Sequence, residues 1–420
     1  MSQHTEFFAR VLAELGNGRR DFMEIGRRAG RFPRAFARAV RPGRTMTEIN
    51  VWCSNDYLGM GQHPVVVEAM KRAIDEFGAG SGGSRNIGGT HHLHVLLEKE
   101  LAALHGKEAA LLFSSGYAAN DGALTVLAGR MDDCLVLSDE LNHASIIDGI
   151  RHSGSEKLIF RHNDTAHLEE LLAASDPDRP KLIVVESLYS MTGDTAPLAE
   201  IAAISRRHRA TTYLDEVHAV GIYGPQGAGV AARDGLGGDF TLVMGTLGNG
   251  FGTAGGYIAG PAPLVDAVKN FSRPFIFTTS LPPAVAAGAL AAVRHLRGSD
   301  RERTRLHANA RILKRLLTER GIPYASADSH IVSVVVGDDA TCKEAADRLL
   351  HRHGSYVQAI NAPSVRTGAE VLRIAPSAVH TEADVAEFAA ALSTVWDELD
   401  AVPAVSPPNR EAVQGRLGGS

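Results

Sequence analysis

The chain has 420 residues, 44% of them hydrophobic, enough for a substantial core and for two or three domains. A net charge of −5 offers nucleic acid no basic field, and three cysteines, far apart at positions 53, 134 and 342, fit neither a disulfide framework nor a zinc spacing. The first residues include Glu6 and lack a long apolar core, and the longest apolar run, 284 to 293, is too short for the ~20 residues of a bilayer span, so a soluble, cytoplasmic protein with reduced thiols is expected.

Phe7, Phe8, Val11, Leu12 and Leu15 recur at helical spacing until Gly16-Asn17-Gly18 interrupts them. The arginines that follow, Arg19, Arg20, Arg27 and Arg28, read for the most part as a solvated basic face. Val51-Trp52-Cys53-Ser54-Asn55-Asp56-Tyr57-Leu58-Gly59 has an apolar start and a turn, and a helical run covers 63 to 77. Residues 78 to 90 have the composition of a flexible linker, yet they enclose Arg85-Asn86-Ile87 and lead into a helix marked by Leu93, Leu96, Leu97, Leu101 and Leu104. A binding loop is therefore expected there. His91, His94 and Glu98 could share a helix face, but no partner ligands stand at a recognised spacing and no metal is expected.

From 109 to 260, strand-like runs at 109–113, 134–138, 158–160, 182–186, 212–214 and 242–244 alternate with stretches about one helix long. That alternation predicts a mainly parallel sheet covered by helices, with ligands at the carboxyl ends of its strands. Ser115, Gly116 and Tyr117 open a helix after the first strand, and a helix start with free N–H groups suits an anion such as a phosphate. His143, after the second strand, is by itself more readily a cap than a catalyst, and Glu186, at the end of another, could be structural. Asp215 and His218 follow the strand at 212–214. The turn from Met244 to Tyr257 is dense in glycine and brings backbone close to a bound ligand. A helix at 263–270, the stretch Phe275 to Pro283 and helices to about 320 come next, followed by strands at 330–336, 356–359 and 371–374 that suggest a small α/β domain closing over the site. The organisation expected is an N-terminal segment at 1–60, a large domain at 61–295, a small C-terminal domain at 296–400 and a disordered tail at 401–420.

Seven of these stretches, in order, resemble motifs of the α-oxoamine synthases, pyridoxal 5'-phosphate (PLP) enzymes of fold type I, the aspartate aminotransferase-like architecture. The resemblance runs from about residue 18 to 398 and includes G-T-L-G-[K]-x-[FY]-G at 245–252, N-[DN]-Y-L-G at 55–59, N-H-A-S at 142–145, D-E-[AV]-H at 215–218 and L-R-[FIV]-x-P-[ST] at 372–377. It implies a mainly parallel seven-stranded sheet with a small C-terminal α/β domain. The phosphate would lie at Ser115, Gly116 and Tyr117, and Thr278 and Thr279 would reach it from a second copy in an obligate homodimer. His143 would stack on the cofactor ring, Asp215 would keep the ring nitrogen protonated, His218 would sit near the phenolic oxygen, and Glu186, Ser190 and Thr246 would surround it. Asn55 and Arg373 would seat an amino-acid carboxylate.

The segments around 18–22 and 84–87 resemble the 5-aminolevulinate synthase branch, in which Arg20, Ser84 and Asn86, with Ser364, would meet the carboxylate of succinyl-CoA. One residue departs from the pattern. Position 249 is the lysine that links the cofactor and serves as acid and base in the family, and here it is Asn249. Condensation of glycine with succinyl-CoA is implied, with turnover impaired. Another oxoamine synthase, such as a 2-amino-3-ketobutyrate CoA ligase or a longer-chain acyl transferase, and a catalytically silent PLP-binding protein remain open alternatives. Neither nucleic acid nor membrane is an expected partner.

Overall fold

The helical spacing of Phe7, Phe8 and Leu12 is realised in α1 (Gln3–Glu14), which buries no side chain. The computed structural model describes residues 2–14, 23–39, 47–325, 329–362 and 364–399, so Arg19, Arg20 and the tail at 401–420 lie outside it. Three strands follow that the arginine-rich composition conceals: β1 (Met23–Arg27), β2 (Arg34–Ala39) and β3 (Thr47–Val51), paired antiparallel in that order. Arg34 and Arg38 face out while Ala35 and Ala37 face in, the period of two that a half-buried strand requires.

A proline at the first turn opens α2 (Pro64–Phe77), and α3 (His92–His105) runs from a His91 cap to Gly106, which has the left-handed backbone of a helix stop. Strands and helices then alternate through β4 (Ala109–Phe113), α4 (Gly116–Gly129), β5 (Leu135–Asp139), α5 (Ala144–Ser153) and β6 (Glu156–Phe160). The pattern continues with α6 (Thr165–Ala173), β7 (Lys181–Glu186), α7 (Leu198–Arg207) and β8 (Thr211–Asp215), then the short α8 (Val230–Arg233), β9 (Leu242–Thr246) and β10 (Gly256–Gly260).

These seven strands form one sheet in the order β4-β10-β9-β8-β7-β5-β6. The β5–β6, β5–β7, β7–β8 and β8–β9 pairs are parallel, and β10 runs antiparallel to both neighbours. β10 is reversed because a short glycine loop, not a crossover helix, joins it to β9. The parallel strands β5, β7 and β8 are covered on both faces: Leu135, Leu137, Ile183, Val185 and Leu214 belong to one apolar cluster, Val136, Leu182, Val184 and Tyr213 to another. Successive strand residues thus enter opposite cores, which is why the runs read as continuously apolar.

The chain then builds α9 (Ala262–Phe271), α10 (Arg273–Ile276), α11 (Pro283–Gly298) and α12 (Arg301–Glu319). A second unit follows: β11 (Val332–Val335), α13 (Asp339–His353), β12 (Ser355–Tyr356), β13 (Gln358–Ile360), β14 (Val371–Ile374) and α14 (Glu382–Glu398). β11, β14 and β13 make an antiparallel sheet whose core holds Leu313, Leu317, Val334, Leu372, Ile374 and Phe388, joined by Trp52 from the N-terminal segment. The same segment contributes β3, which pairs in parallel with β12. No helix among the described residues is long and apolar enough to cross a membrane.

Candidate active site

The parallel strands deliver three acids to one edge of the sheet: Asp139, Glu186 and Asp215 are the last residues of β5, β7 and β8. Glu186 and Asp215 stand opposite each other in register. Burial pushes the Glu186 carboxyl well above its usual range and the charge of Asp215 adds to the shift; Asp215 is raised too, chiefly by burial. The donors fixed on Asp215 are neutral amides. Asn120 Nδ2 reaches one oxygen at 2.8 Å and the Val217 N–H the other at 2.8 Å. Asn120 is itself held by donating to Ser145 Oγ at 3.0 Å and accepting from the Tyr213 hydroxyl at 2.9 Å. The Asp215 carboxylate is thus aimed and dry, with an unmet demand for a cation.

His143 caps α5 through Ser145 N–H at 3.2 Å, its backbone N–H donates to Glu186 Oε1 at 2.7 Å, and the residue is otherwise exposed toward Tyr117, whose ring lies 6.4 Å away edge-on. At the start of α4 the Ser115 hydroxyl accepts from Ala118 N–H at 3.1 Å, and the N–H groups of Gly116 and Tyr117 have no acceptor among the described residues. The β10 backbone packs directly behind this helix start, where a Cβ on Gly256 would meet Ser115 O at 2.5 Å and Gly116 N at 2.6 Å. An anion-binding helix end therefore stands on the same sheet edge as the buried acid.

His218 is buried, with Nδ1 2.9 Å from the Tyr57 hydroxyl. Burial, followed by the charges of Arg373 and His143, lowers its pKa well below the ordinary histidine value, so the ring is neutral. The glycine loop after β9 is closed by Thr246, whose hydroxyl donates to Gly255 O at 3.1 Å and accepts from Gly248 N–H at 3.2 Å. Inside it Asn249 is buried and donates from Nδ2 to Val217 O at 3.1 Å, which places the amide two residues from Asp215. Arg373, on β14, crosses to the large sheet: Nε donates to Ser190 O at 2.7 Å and its two terminal nitrogens reach Tyr57 Oη at 3.0 Å and Asn55 Oδ1 at 3.3 Å.

Asp215, Glu186, His143, His218 and Asn249 are thereby brought to one sheet edge, with Asn55 and Arg373 joined beside them. Ser190 enters through its carbonyl. Other nominated residues lie elsewhere in the single chain. Ser84 forms a bridge with Thr279, Asn86 is exposed next to it, and Thr278 and Thr279 line a narrow cleft with Ser114 and Arg85. Ser364 is exposed in the loop before β14. The histidines near 91 have structural employment: His91 caps α3, His94 Nε2 lies 2.8 Å from Leu281 O, and Glu98 takes two bonds from Arg85 at 2.7 and 3.1 Å. Two residues join the site that the sequence did not single out, Tyr57 and Asn120. Their signal was an aromatic hydroxyl and an amide in stretches already marked as binding segments.

A buried carboxylate facing only neutral donors, an open helix start for a phosphate and a histidine exposed above them suit PLP, whose pyridinium nitrogen, phosphate and ring require those three groups. The fold and this donor set define a fold-type I PLP-dependent transferase. The family model described as aminotransferase class I and II matches residues 47–392, so the chain belongs to that family. It is 53% identical to a 5-aminolevulinate synthase of Rhizobium meliloti over 92% of this chain and 95% of that protein, and 50% identical to one of Bradyrhizobium diazoefficiens over 94% and 97%. A serine palmitoyltransferase structure from S. paucimobilis, solved with PLP bound as a myriocin adduct, is 33% identical over 96% of this chain and 100% of that one, with a TM-score of 0.87. Within the class, the chain belongs to the 5-aminolevulinate synthase family.

Proposed function

We propose that the site takes glycine and succinyl-CoA and is built to join them into 5-aminolevulinate with release of CoA and CO2. The observation that carries this reading is the clamp of Arg373 and Asn55, bridged by Tyr57, beside the acid and histidine that suit the cofactor. A guanidinium with a fixed fork is suited to a small amino-acid carboxylate. Bound PLP supplies an electron sink for the carbon between that carboxylate and the amino group. Asp215 would hold the ring nitrogen in its protonated form, His143 would lie against the ring, and neutral His218 would serve the phenolic oxygen. The N–H groups of Gly116 and Tyr117 hold the phosphate, Thr278 and Thr279 of a second copy complete it, and the working unit is a cytoplasmic homodimer with shared sites. Arg20, Ser84, Asn86 and Ser364 meet the carboxylate of the acyl group. Residues 61–295 act as the cofactor-binding domain and 296–400 as the domain that closes on it.

Asn249 changes what this chain can do. An amide does not titrate near neutral pH, so it supplies none of the general acid/base help, worth ~10²–10⁴-fold, that a lysine gives. Lys269 is no substitute, because it is exposed on α9. The site therefore holds its cofactor without a covalent bond and turns over very slowly. This residue also supports a second reading, a catalytically silent PLP-binding protein. Acyl-CoA competition on the Asn249→Lys protein tests the substrate assignment. Succinyl-CoA should outperform acetyl- and octanoyl-CoA, and Arg20→Leu should raise KM for succinyl-CoA far more than for glycine. Preference for acetyl- or octanoyl-CoA would transfer the protein to another oxoamine synthase activity, and no product from any of them would favour the silent protein.

A further inference from the structure

We propose that His63, His295 and Glu302 form a site for one divalent transition-metal ion, pinning the start of α2 to the corner between α11 and α12. They are brought together from three elements: His63 precedes α2, His295 lies in the last turn of α11 and Glu302 in the first turn of α12. One donor atom from each lies within 4.8 Å of the other two. Spacing in the sequence could not reveal such a group.

His295 Nε2 and Glu302 Oε1 are 3.3 Å apart, long for a charge-assisted hydrogen bond. It matches the ligand-to-ligand edge, roughly 3.3 Å, of a tetrahedron whose metal–ligand bonds are about 2.0–2.1 Å. The rings of His63 and His295 approach at 4.5 Å with planes 40° apart, so they are not stacked on each other. Ser299 Oγ donates to the far oxygen of Glu302 at 2.8 Å and so fixes the carboxylate with Oε1 turned to the histidines, the support that metal-ligating carboxylates require.

Four arginines lie nearby, and their charge must be met for a cation to bind. Arg294 and Arg297 are both engaged by Glu100, at 2.8 and 2.6 Å. Arg301 and Arg305 line a cavity of about 270 Å³ that His63 and Glu302 also face. An ion held by two imidazoles and one carboxylate keeps a net positive charge and an open position; a hydroxide, chloride or phosphate entering from that cavity would neutralise it beside the two arginines. Loading requires a bare nitrogen on each imidazole, so a proton held between His295 Nε2 and Glu302 Oε1 moves to Nδ1 of the ring or to solvent. Two nitrogens and one oxygen select zinc, cobalt or nickel over magnesium or calcium.

The test is a titration of tag-free, chelator-stripped full-length protein with Co²⁺, followed by its visible d–d bands, then displacement by Zn²⁺. One ion per chain should bind, and Zn²⁺ should raise Tm. Glu302→Gln and His295→Gln should each weaken Co²⁺ binding at least ~tenfold, as should Ser299→Ala through the lost support of Glu302. PLP absorbance should be the same in all of them. Absence of saturable Co²⁺ uptake, or equal uptake by the wild type and both ligand variants, overturns the proposal; the isosteric Glu302→Gln change keeps the comparison valid should His295→Gln fold poorly.

Discussion

The hydroxyl of Tyr57 lies 2.9 Å from His218 Nδ1, so the residue that supports the carboxylate clamp also supports the cofactor histidine. Its oxygen accepts a hydrogen bond from Arg373 at 3.0 Å and stands 3.1 Å from Asn55 Oδ1. A phenol has only one proton to give. If it goes to Asn55, His218 must donate from Nδ1 and present a bare Nε2 to the site; if it goes to His218, Nε2 carries the proton. The state of the clamp is thereby coupled to the tautomer of the histidine.

Replacing Tyr57 with Phe keeps the buried ring and removes that coupling. A hydrogen bond to a charged group contributes about 1.5–3 kcal/mol, so glycine should bind roughly 10–100-fold more weakly to the PLP-loaded protein. The visible-absorbance change on glycine addition reads this directly. Unchanged glycine affinity would show that Arg373 is positioned by Asn55 and Ser190 alone.

Gly256 is constrained by approach, not by backbone conformation. A methyl there would meet Ser115 O at 2.5 Å and Gly116 N at 2.6 Å, so Gly256→Ala must push β10 away from the start of α4. Overpacking of this kind costs about 1–3 kcal/mol. Chemical denaturation should show that loss together with weaker PLP retention in dialysis, since the displaced groups are those that would hold the phosphate. Loss of stability with normal retention would separate the helix start from cofactor binding.

A buried ionic clamp holds the segment that carries Ser190. His162 lies 2.9 Å from both Asp139 and Asp194. Burial alone would lower its pKa, but the two carboxylates outweigh that and raise it from 6.5 to about 10. Because the folded value exceeds the unfolded one, this stabilisation is complete below about 6.5 and is lost as pH rises through about 10. His162→Gln leaves the buried Asp139 and the half-buried Asp194 without their cation and should cost up to about 3–5 kcal/mol near neutrality. The Tm gap between the two proteins should be widest near pH 6 and close toward pH 10; a gap that widened with pH would contradict the charged state assigned to His162.

The large sheet was legible because its strands are short apolar runs separated by helix-length stretches, a pattern that two-sided burial imposes. β2 was not, because its inward residues Ala35 and Ala37 are small and poor strand formers, and Arg34 and Arg38, which flank them, give the stretch the look of a charged surface. Asp215, His143 and Arg373 were legible through motifs. The joining of Tyr57 to His218 and Arg373 was not, since residues 57, 218 and 373 meet only when the second sheet closes against the first. His63, His295 and Glu302 were invisible for the same reason.

Asn249 stands at the position of the family's linking lysine. Its side-chain amide donates to Val217 O at 3.1 Å, and its backbone carbonyl accepts from Gly252 N–H at 3.2 Å, so the loop is closed by hydrogen bonds and needs no covalent tie to stay in place. The amide cannot form the covalent link or exchange protons near neutral pH. PLP should accordingly bind and dialyse away reversibly, leaving no pyridoxyl label on the chain after borohydride reduction, and 5-aminolevulinate formation should be nearly absent. Asn249→Lys should acquire the label at residue 249 and gain turnover by at least the ~10²–10⁴-fold of general acid/base catalysis. Asp215 and His143 are unchanged in both proteins, so the apparent affinity for PLP should change less than the rate. Robust turnover by the Asn249 protein, equal to that of the lysine form, would require another base; His218, buried near the amide and neutral, would then be the group to replace next.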